Sequence, residues 1–194
     1  MYILILFDTK SGRTKDLAYL IAKGVDSYAS HGITARLRCV AKVSAVCEAV
    51  EADIKDSGTP YVDIEDIQNC NGLALGSPTY FGNMSSHMKY FLEQTVPIWI
   101  NGSLCDKPAC VFTSSNSMHG GHESTLLSMM LPLMHHGMVM LGLPYFETNL
   151  RKTQTGGTPY GVSHYAHSDA ISEDEKELAV FIGKRLAKTA LKLN

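Results

Sequence analysis

Three polar, glycine-bearing segments interrupt an otherwise apolar chain, and the residue types in each set out a chemistry. The first, Asp8-Thr9-Lys10-Ser11-Gly12-Arg13-Thr14, directly follows the unbroken apolar run Tyr2–Phe7. Its T-x-S-G-x-T pattern supplies hydroxyls and backbone N–H groups that can converge on a phosphate, and a helix starting there adds the attraction of its dipole. Gly12 lets the backbone come close. An ordinary polar turn and helix cap would use the same residues; the position after a buried strand is what favours a phosphate. No G-x-G-x-x-G follows that strand, which argues against a dinucleotide fingerprint.

The second segment, residues 76–84, reads G-S-P-T-Y-F-G-N-M. Aromatic side chains beside glycines on an exposed loop suit a flat ring, with main-chain groups left to hydrogen-bond its edge. The alternative is a hydrophobic loop packed on the core. The third segment, residues 113–122, reads T-S-S-N-S-M-H-G-G-H. It offers N–H donors but no base-oriented nucleophile. With G-x-S-x-G absent, Ser114 and Ser115 are disfavoured as hydrolase nucleophiles. Three ring-sized loops without a catalytic triad imply a bound cofactor that carries the chemistry.

Periodicity indicates the elements that must hold these segments. Tyr2–Phe7 is apolar on both faces, as in a central parallel strand. Residues 13–29 carry a helical pattern, and residues 33–40 alternate as a half-exposed edge strand does. Residues 73–75, 109–113 and 138–143 read as three more strands. Between them, Met84, Met88, Phe91 and Leu92, then Leu126, Leu127, Met130, Leu131 and Met134, fall at helical spacing, with Pro132 expected to kink the second helix. A last helix opens with a capping box, Ser172 to Glu175. Residues 41–66 and 144–170 lack a sustained period and read as irregular insertions, the first with a short helix near residues 43–50. Repeated β-then-α units predict an α/β fold in a single domain over residues 1–194. Its five-stranded parallel sheet is doubly wound in the flavodoxin-like order 2-1-3-4-5, with helices on both faces. All three segments then fall at the carboxyl ends of strands one, three and four, where such sheets bind ligands.

The 194 residues are 45% hydrophobic and 19% charged, enough for a sizeable core without staples. A formal net charge of −2 predicts neither nucleic-acid binding nor stable association with an anionic membrane. The 5 cysteines include no C-x-x-C pair and read as reduced thiols of a cytoplasmic protein. The 8 histidines include no helical i, i+4 pair, so no metal site is expected. No uncharged apolar stretch reaches the length of about 18 residues needed to span a bilayer, and no signal-peptide pattern opens the chain.

Together the segments resemble the WrbA family of flavodoxin-like quinone reductases, the type IV NAD(P)H:quinone oxidoreductases. The likeness covers nearly the whole chain. It is most specific in G-S-P-T-Y-F-G-N-M from Gly76, P-I-W ending at Trp99, H-H-G-M-V from His135 and G-G-T-P-Y-G from Gly156. It implies a noncovalent FMN, a hydride taken from NADH or NADPH, and two-electron reduction of quinones to hydroquinones, in homodimers that pair into a homotetramer. By position, Thr9, Lys10, Ser11, Gly12, Arg13 and Thr14 would hold the FMN phosphate. Pro78, Thr79, Tyr80, Phe81, Gly82 and Asn83 would border the isoalloxazine. Ser114, Ser115, Asn116, Ser117, Met118, His119 and Gly120 would line its other edge, His136 would lie by the flavin, and Trp99 would help form the substrate pocket. Three departures bear on the nicotinamide rather than on FMN. Ser11 stands where an aromatic is expected, Tyr80 where an arginine precedes the loop phenylalanine, and the third loop is one residue longer.

Two rival functions share the cofactor. A flavodoxin-type one-electron carrier is disfavoured by the weak net charge, and a regulatory flavin-binding module by the lack of a basic recognition helix. No residue is assigned a catalytic role beyond the flavin, His136 being the one candidate. His135 and His136 also suit a helix end before Gly137, so a capping role stays open beside a flavin contact. His119, His122 and His164 are candidate proton donors to a reduced quinone, or else exposed loop histidines.

Overall fold

The computed structural model describes residues 1–43, 58–167 and 170–193. The short helix expected near residues 43–50 therefore lies, apart from Val43, outside the described residues. Strand β1 (Tyr2–Phe7) is buried from Ile3 onwards, with Ile3, Ile5 and Phe7 in one core and Leu4 and Leu6 in the other. That explains its lack of polar residues. Helix α1 (Arg13–Asp26) leads back to β2 (Thr34–Cys39), which pairs parallel to β1 at the sheet edge. The polar face of β2 is used: Arg36 and Arg38 reach the buried Asp66 carboxylate at 3.1 and 2.6 Å, on helix α2 (Ile64–Gln68). Next come β3 (Gly72–Pro78), α3 (Ser86–Glu93), α4 (Val96–Ile100) and β4 (Pro108–Ser115). Helix α5 (His122–His135) runs on as one helix through Pro132, and β5 (Val139–Met140) follows.

The sheet is parallel in the order β2-β1-β3-β4-β5, as expected, but a sixth strand adds to it. Residues 144–170 are less irregular than their composition implies, for they hold helix α6 (Thr148–Lys152) and strand β6 (Val162–Tyr165). β5 pairs with Pro108 and Ala109 of β4, and β6 pairs with Phe112 to Ser115 of the same strand. The fifth position of the sheet is thus one strand in two pieces. The run expected over residues 138–143 leaves the ladder early: Leu141 N–H still bonds Ala109, but Leu143 N–H bonds Pro159 instead.

Helix α7 (Glu173–Leu193) begins with the expected capping box, Ser172 N–H donating to Glu175 and Glu175 N–H to the Ser172 hydroxyl. It packs on α1 over one face of the sheet, while α3 and α5 cover the other. Two glycines set the α1–α7 distance. A Cβ on Gly24 would lie 2.1 Å from the Val180 carbonyl oxygen, and one on Gly183 would lie 2.2 Å from that of Ile21. Alanine at position 24 should gain helix propensity, about 1 kcal/mol. The backbone clash should outweigh that gain, so Gly24→Ala is expected to lower stability by about 1–3 kcal/mol in a urea titration.

Candidate functional site

The three segments leave the carboxyl ends of β1, β3 and β4 side by side. In the first, buried Asp8 accepts from Thr9 N–H at 2.7 Å, and the Thr9 hydroxyl accepts from Gly12 N–H at 3.1 Å. Gly12 itself caps α1 with φ 93°, a left-handed conformation that favours glycine, and as a glycine it puts no side chain on the first turn's N–H groups. Such a helix start keeps its N–H groups for an anion. Thr14 is placed differently from Thr9 and Ser11. Its buried hydroxyl bonds that of Ser114 at 2.9 Å, tying α1 to the end of β4.

In the second segment, Tyr80 and Asn83 exchange backbone hydrogen bonds of 2.9 Å, closing a tight loop. The loop presents Phe81 fully to solvent at φ 51°, a strained conformation for an aromatic residue. Lys10 of the first segment lies 6.0 Å from the Tyr80 ring. Beneath the loop runs a chain of hydroxyls whose directions are fixed. Thr113 donates to the Ser77 carbonyl, so Thr79 must donate to Thr113, and Thr125 donates to Thr79. Thr79 N–H also bonds the Ser114 carbonyl at 3.0 Å.

The third segment touches the second directly. A Cβ on Gly121 would meet Gly82 Cα at 2.7 Å, so the two glycines allow the loops to meet backbone to backbone. Asn116, Ser117, Met118 and His119 are exposed, whereas Ser115 and Gly120 are half-buried where the loop closes. His122 and His164 are not exposed loop histidines: both are buried, His122 at the start of α5 and His164 within β6. Among the described residues no group of His, Cys, Asp and Glu is placed to hold a metal.

Beside the loops opens a largely apolar cleft of about 490 Å³ lined by Asn83, Met84, Val96, Trp99, Leu131 and His136. Trp99 is half-exposed there, its indole N–H donating to the His135 carbonyl at 2.7 Å. His136 is buried, and burial, reinforced by neighbouring His135, pulls its pKa below the usual histidine range. Its tautomer follows from its partner. The Thr95 hydroxyl donates to Leu92 O at 2.7 Å and so accepts from His136 Nε2–H at 2.8 Å, leaving Nδ1 with a lone pair. Thr95 and Thr125 are functional neighbours that no sequence motif marks.

A parallel sheet of this order, with a glycine-led helix start and ring-sized loops at its carboxyl edge, defines a flavodoxin-like protein. The residues present fit FMN: the glycine-led start of α1 suits the phosphate, and the two joined loops suit the edges of a flat ring. Residues 1–150 match the family described as NADPH-dependent FMN reductase. A protein of Solidesulfovibrio magneticus named NAD(P)H dehydrogenase (quinone) is 37% identical over 203 residues, 100% of this chain and 99% of that protein. One of the same name from Geotalea daltonii is 37% identical over 201 residues, 100% and 98% of the two chains. Among solved structures, a flavodoxin-like WrbA-like protein from Agrobacterium tumefaciens is similar with TM-score 0.69 at 20% identity, covering 100% of this chain and 99% of that one. An archaeal flavodoxin gives TM-score 0.64 at 14% identity, covering 98% and 99%. The chain belongs to the NADPH-dependent FMN reductase family and to the NAD(P)H dehydrogenases (quinone).

The phosphate assignment is testable at Gly12. Glu at that position would bring a carboxylate to the anion site and force a side chain into left-handed backbone. Gly12→Glu should fold, by circular dichroism, and lose FMN binding in a fluorescence titration. Full flavin content in the purified variant would rule the assignment out.

Proposed function

We propose that this protein is an FMN-dependent NAD(P)H:quinone oxidoreductase that reduces quinones by two electrons to hydroquinones. The observation that carries this reading is the meeting of the three loops at one edge of the sheet, with a largely apolar, Trp99-lined cleft that begins at Asn83 and Met84 of the second loop. When bound, FMN supplies the hydride acceptor and donor. The chain supplies the rest. Residues 9–14 hold the phosphate through main-chain N–H groups at the start of α1. Residues 78–83 and 114–120 border the ring, and Phe81 is held outward by the closed 80–83 loop. Trp99 gives a flat apolar wall that suits both a nicotinamide and a quinone. Neutral His136, with Nε2–H committed to Thr95, offers Nδ1 as a hydrogen-bond acceptor. It therefore orients a donor group rather than supplying a proton at neutral pH.

Reduced nicotinamide and quinone then take turns in one cleft. Double-reciprocal plots at several benzoquinone concentrations should be parallel for NADH or NADPH oxidation. Intersecting lines would refute the shared cleft. NADH and NADPH oxidation that benzoquinone does not accelerate would instead favour a one-electron carrier or a regulatory module.

The assembly we propose is a homodimer formed through α4 and α5, pairing further into a homotetramer. Val96, Trp99, Ile100, Leu127, Leu131 and Met134 are all exposed large hydrophobics on those two helices. A face of that kind is unusual for a monomer, and it shares Val96, Trp99 and Leu131 with the cleft, so a partner there would form part of the cleft's wall. Light scattering should give a multiple of 21.2 kDa, and Ile100→Glu with Leu131→Glu should reduce it to the monomer. We place the enzyme in the cytoplasm: its described cysteines form no disulfide, and no helix among the described residues is long and apolar enough to cross a membrane.

A further inference from the structure

Helix α7 changes sign along its length. Its first turns carry Glu173, Asp174, Glu175 and Glu177, whereas residues 178–194 include no acidic residue. Lys184, Arg185, Lys188 and Lys192 stand there instead. The helix dipole favours cations only near the last turn, which holds Lys192 alone of these four. The other three need another reason. Lys184, Lys188 and Lys192 recur at every fourth position and so form one stripe, about 12 Å long from first to last. Among the described residues none of the four is in an ion pair, whereas Lys152 and Lys176 pair with Asp174 and Glu173 of the acidic half.

The stripe forms one side of a groove of about 390 Å³, and the rest of the lining is largely aromatic. Tyr28 comes from just beyond α1, Phe146 from the loop before α6, and Phe181 from α7 itself. Phe146 meets Phe181 edge-on, with ring centroids 6.3 Å apart and planes at 81°, and it stays largely exposed, so a flat group can lie against it. Among the described residues no carboxylate lines this groove. Glu147, Glu173 and Glu177 line an adjoining one towards the start of α7, where Lys176 holds Glu173 and the Asn149 amide holds Glu177. Asp26, near Tyr28, accepts from Ala35 N–H. Arg185 marks a missing acceptor directly, for its Nε–H is buried without a hydrogen-bond partner among the described residues. An anion seated in the groove that Arg185 lines would supply one.

We propose that this groove binds a nucleoside polyphosphate, its phosphates along Lys184, Lys188 and Lys192 with Arg185, and its base against Phe146. Four cations spread over that length suit an extended polyanion better than a single phosphate, and the aromatic wall suits a flat group attached to it. The site is separate from the flavin loops. Helix α1 runs from those loops at Arg13 to Asp26, about 20 Å away and close to Tyr28 in the chain. Glu175, near the start of α7, bonds β6 beside the same loops, and the basic stripe occupies the far half of that helix. A nucleotide held here is therefore not the reduced nicotinamide of the cleft, and its binding does not depend on the quinone reductase reading.

The test is isothermal titration calorimetry of the flavin-loaded protein, freed of excess FMN, with ATP, adenosine and inorganic tripolyphosphate. It is repeated on Lys188→Gln with Lys192→Gln, on Phe146→Ala and on flavin-free Gly12→Glu, each shown to be folded by circular dichroism. ATP should bind at one site per chain, and the double lysine variant should weaken it about tenfold. Phe146→Ala should weaken ATP about tenfold while leaving tripolyphosphate unchanged. Adenosine alone should not saturate. Gly12→Glu, which closes the flavin phosphate loop, should leave ATP affinity unchanged, so the result stands whether or not the chain holds FMN. No saturable ATP binding at millimolar concentration, or equal affinity in the natural chain and the double lysine variant, would overturn the proposal. Loss of ATP binding in Gly12→Glu would overturn it too, by assigning the nucleotide to the flavin loop. So would equal affinities for ATP and tripolyphosphate, which would leave the aromatic wall without a role. Lysine-dependent capture by phosphatidylserine vesicles without ATP binding would make the stripe a membrane contact and would equally overturn it.

Discussion

The site end of this molecule depends on where one buried carboxylate finds its donors. Glu175 Oε1 accepts from Gly156 N–H and Tyr165 N–H, and Oε2 from Ser172 N–H and His164. Burial alone would raise the pKa of this acid. The bond from His164 and those from the Tyr165 and Ser172 N–H groups outweigh it, holding the carboxyl at about 2. Those donors come from the loop before β6, from β6 and from the approach to α7, three stretches with little apolar surface to hold them together. The resulting stabilisation is present above the ordinary carboxylate range and is withdrawn as pH falls towards about 2.

From that anchor the order of the active edge follows. β6 is held against the second half of β4, so the carbonyl of Ser115 has a partner in Ala166 and the third loop starts from a fixed point. Ser114 in turn binds Thr14 and accepts from Thr79 N–H, which fixes α1 and the second loop to the same strand. The parts that would meet cofactor and substrate, Phe81, Met118 and Trp99, are by contrast exposed, each mounted on a loop or short helix with a bonded base. Rigid support beneath and open apolar surface above is the arrangement expected of a site that receives two different flat molecules.

Much of this was legible in the sequence, for definite physical reasons. β1 shows as an unbroken apolar run because both of its faces are buried, and α7 announces its start through the Ser172–Glu175 box, a purely local signal. The three loops were found because polar residues and glycines directly after buried strands have few structural uses. β6 escaped because it buries Ser163 and His164, which look like loop residues until the Gly157 N–H is seen to pair with one and Glu175 with the other. The burial of His122 and the role of Thr95 escaped for the same reason: each depends on a partner that lies at least 5 residues away, Ser117 for one and His136 for the other. The close approach of α1 and α7 left only isolated glycines in helical runs, a mark too common to read alone.

The two-piece fifth strand also governs the order in which the chain can be completed. β1 to β4 can pair, and β5 can join them, once residue 140 has been made. The other half of β4's edge, from Phe112 to Ser115, waits for residues 162–165 and then for Glu175 to secure them. A chain still on the ribosome therefore carries an unpaired strand edge next to its future cofactor site, the kind of edge that recruits wrong partners. Residues 162–175 close the sheet and finish the site together, so a product truncated before them should be left with an open edge as well as an incomplete pocket.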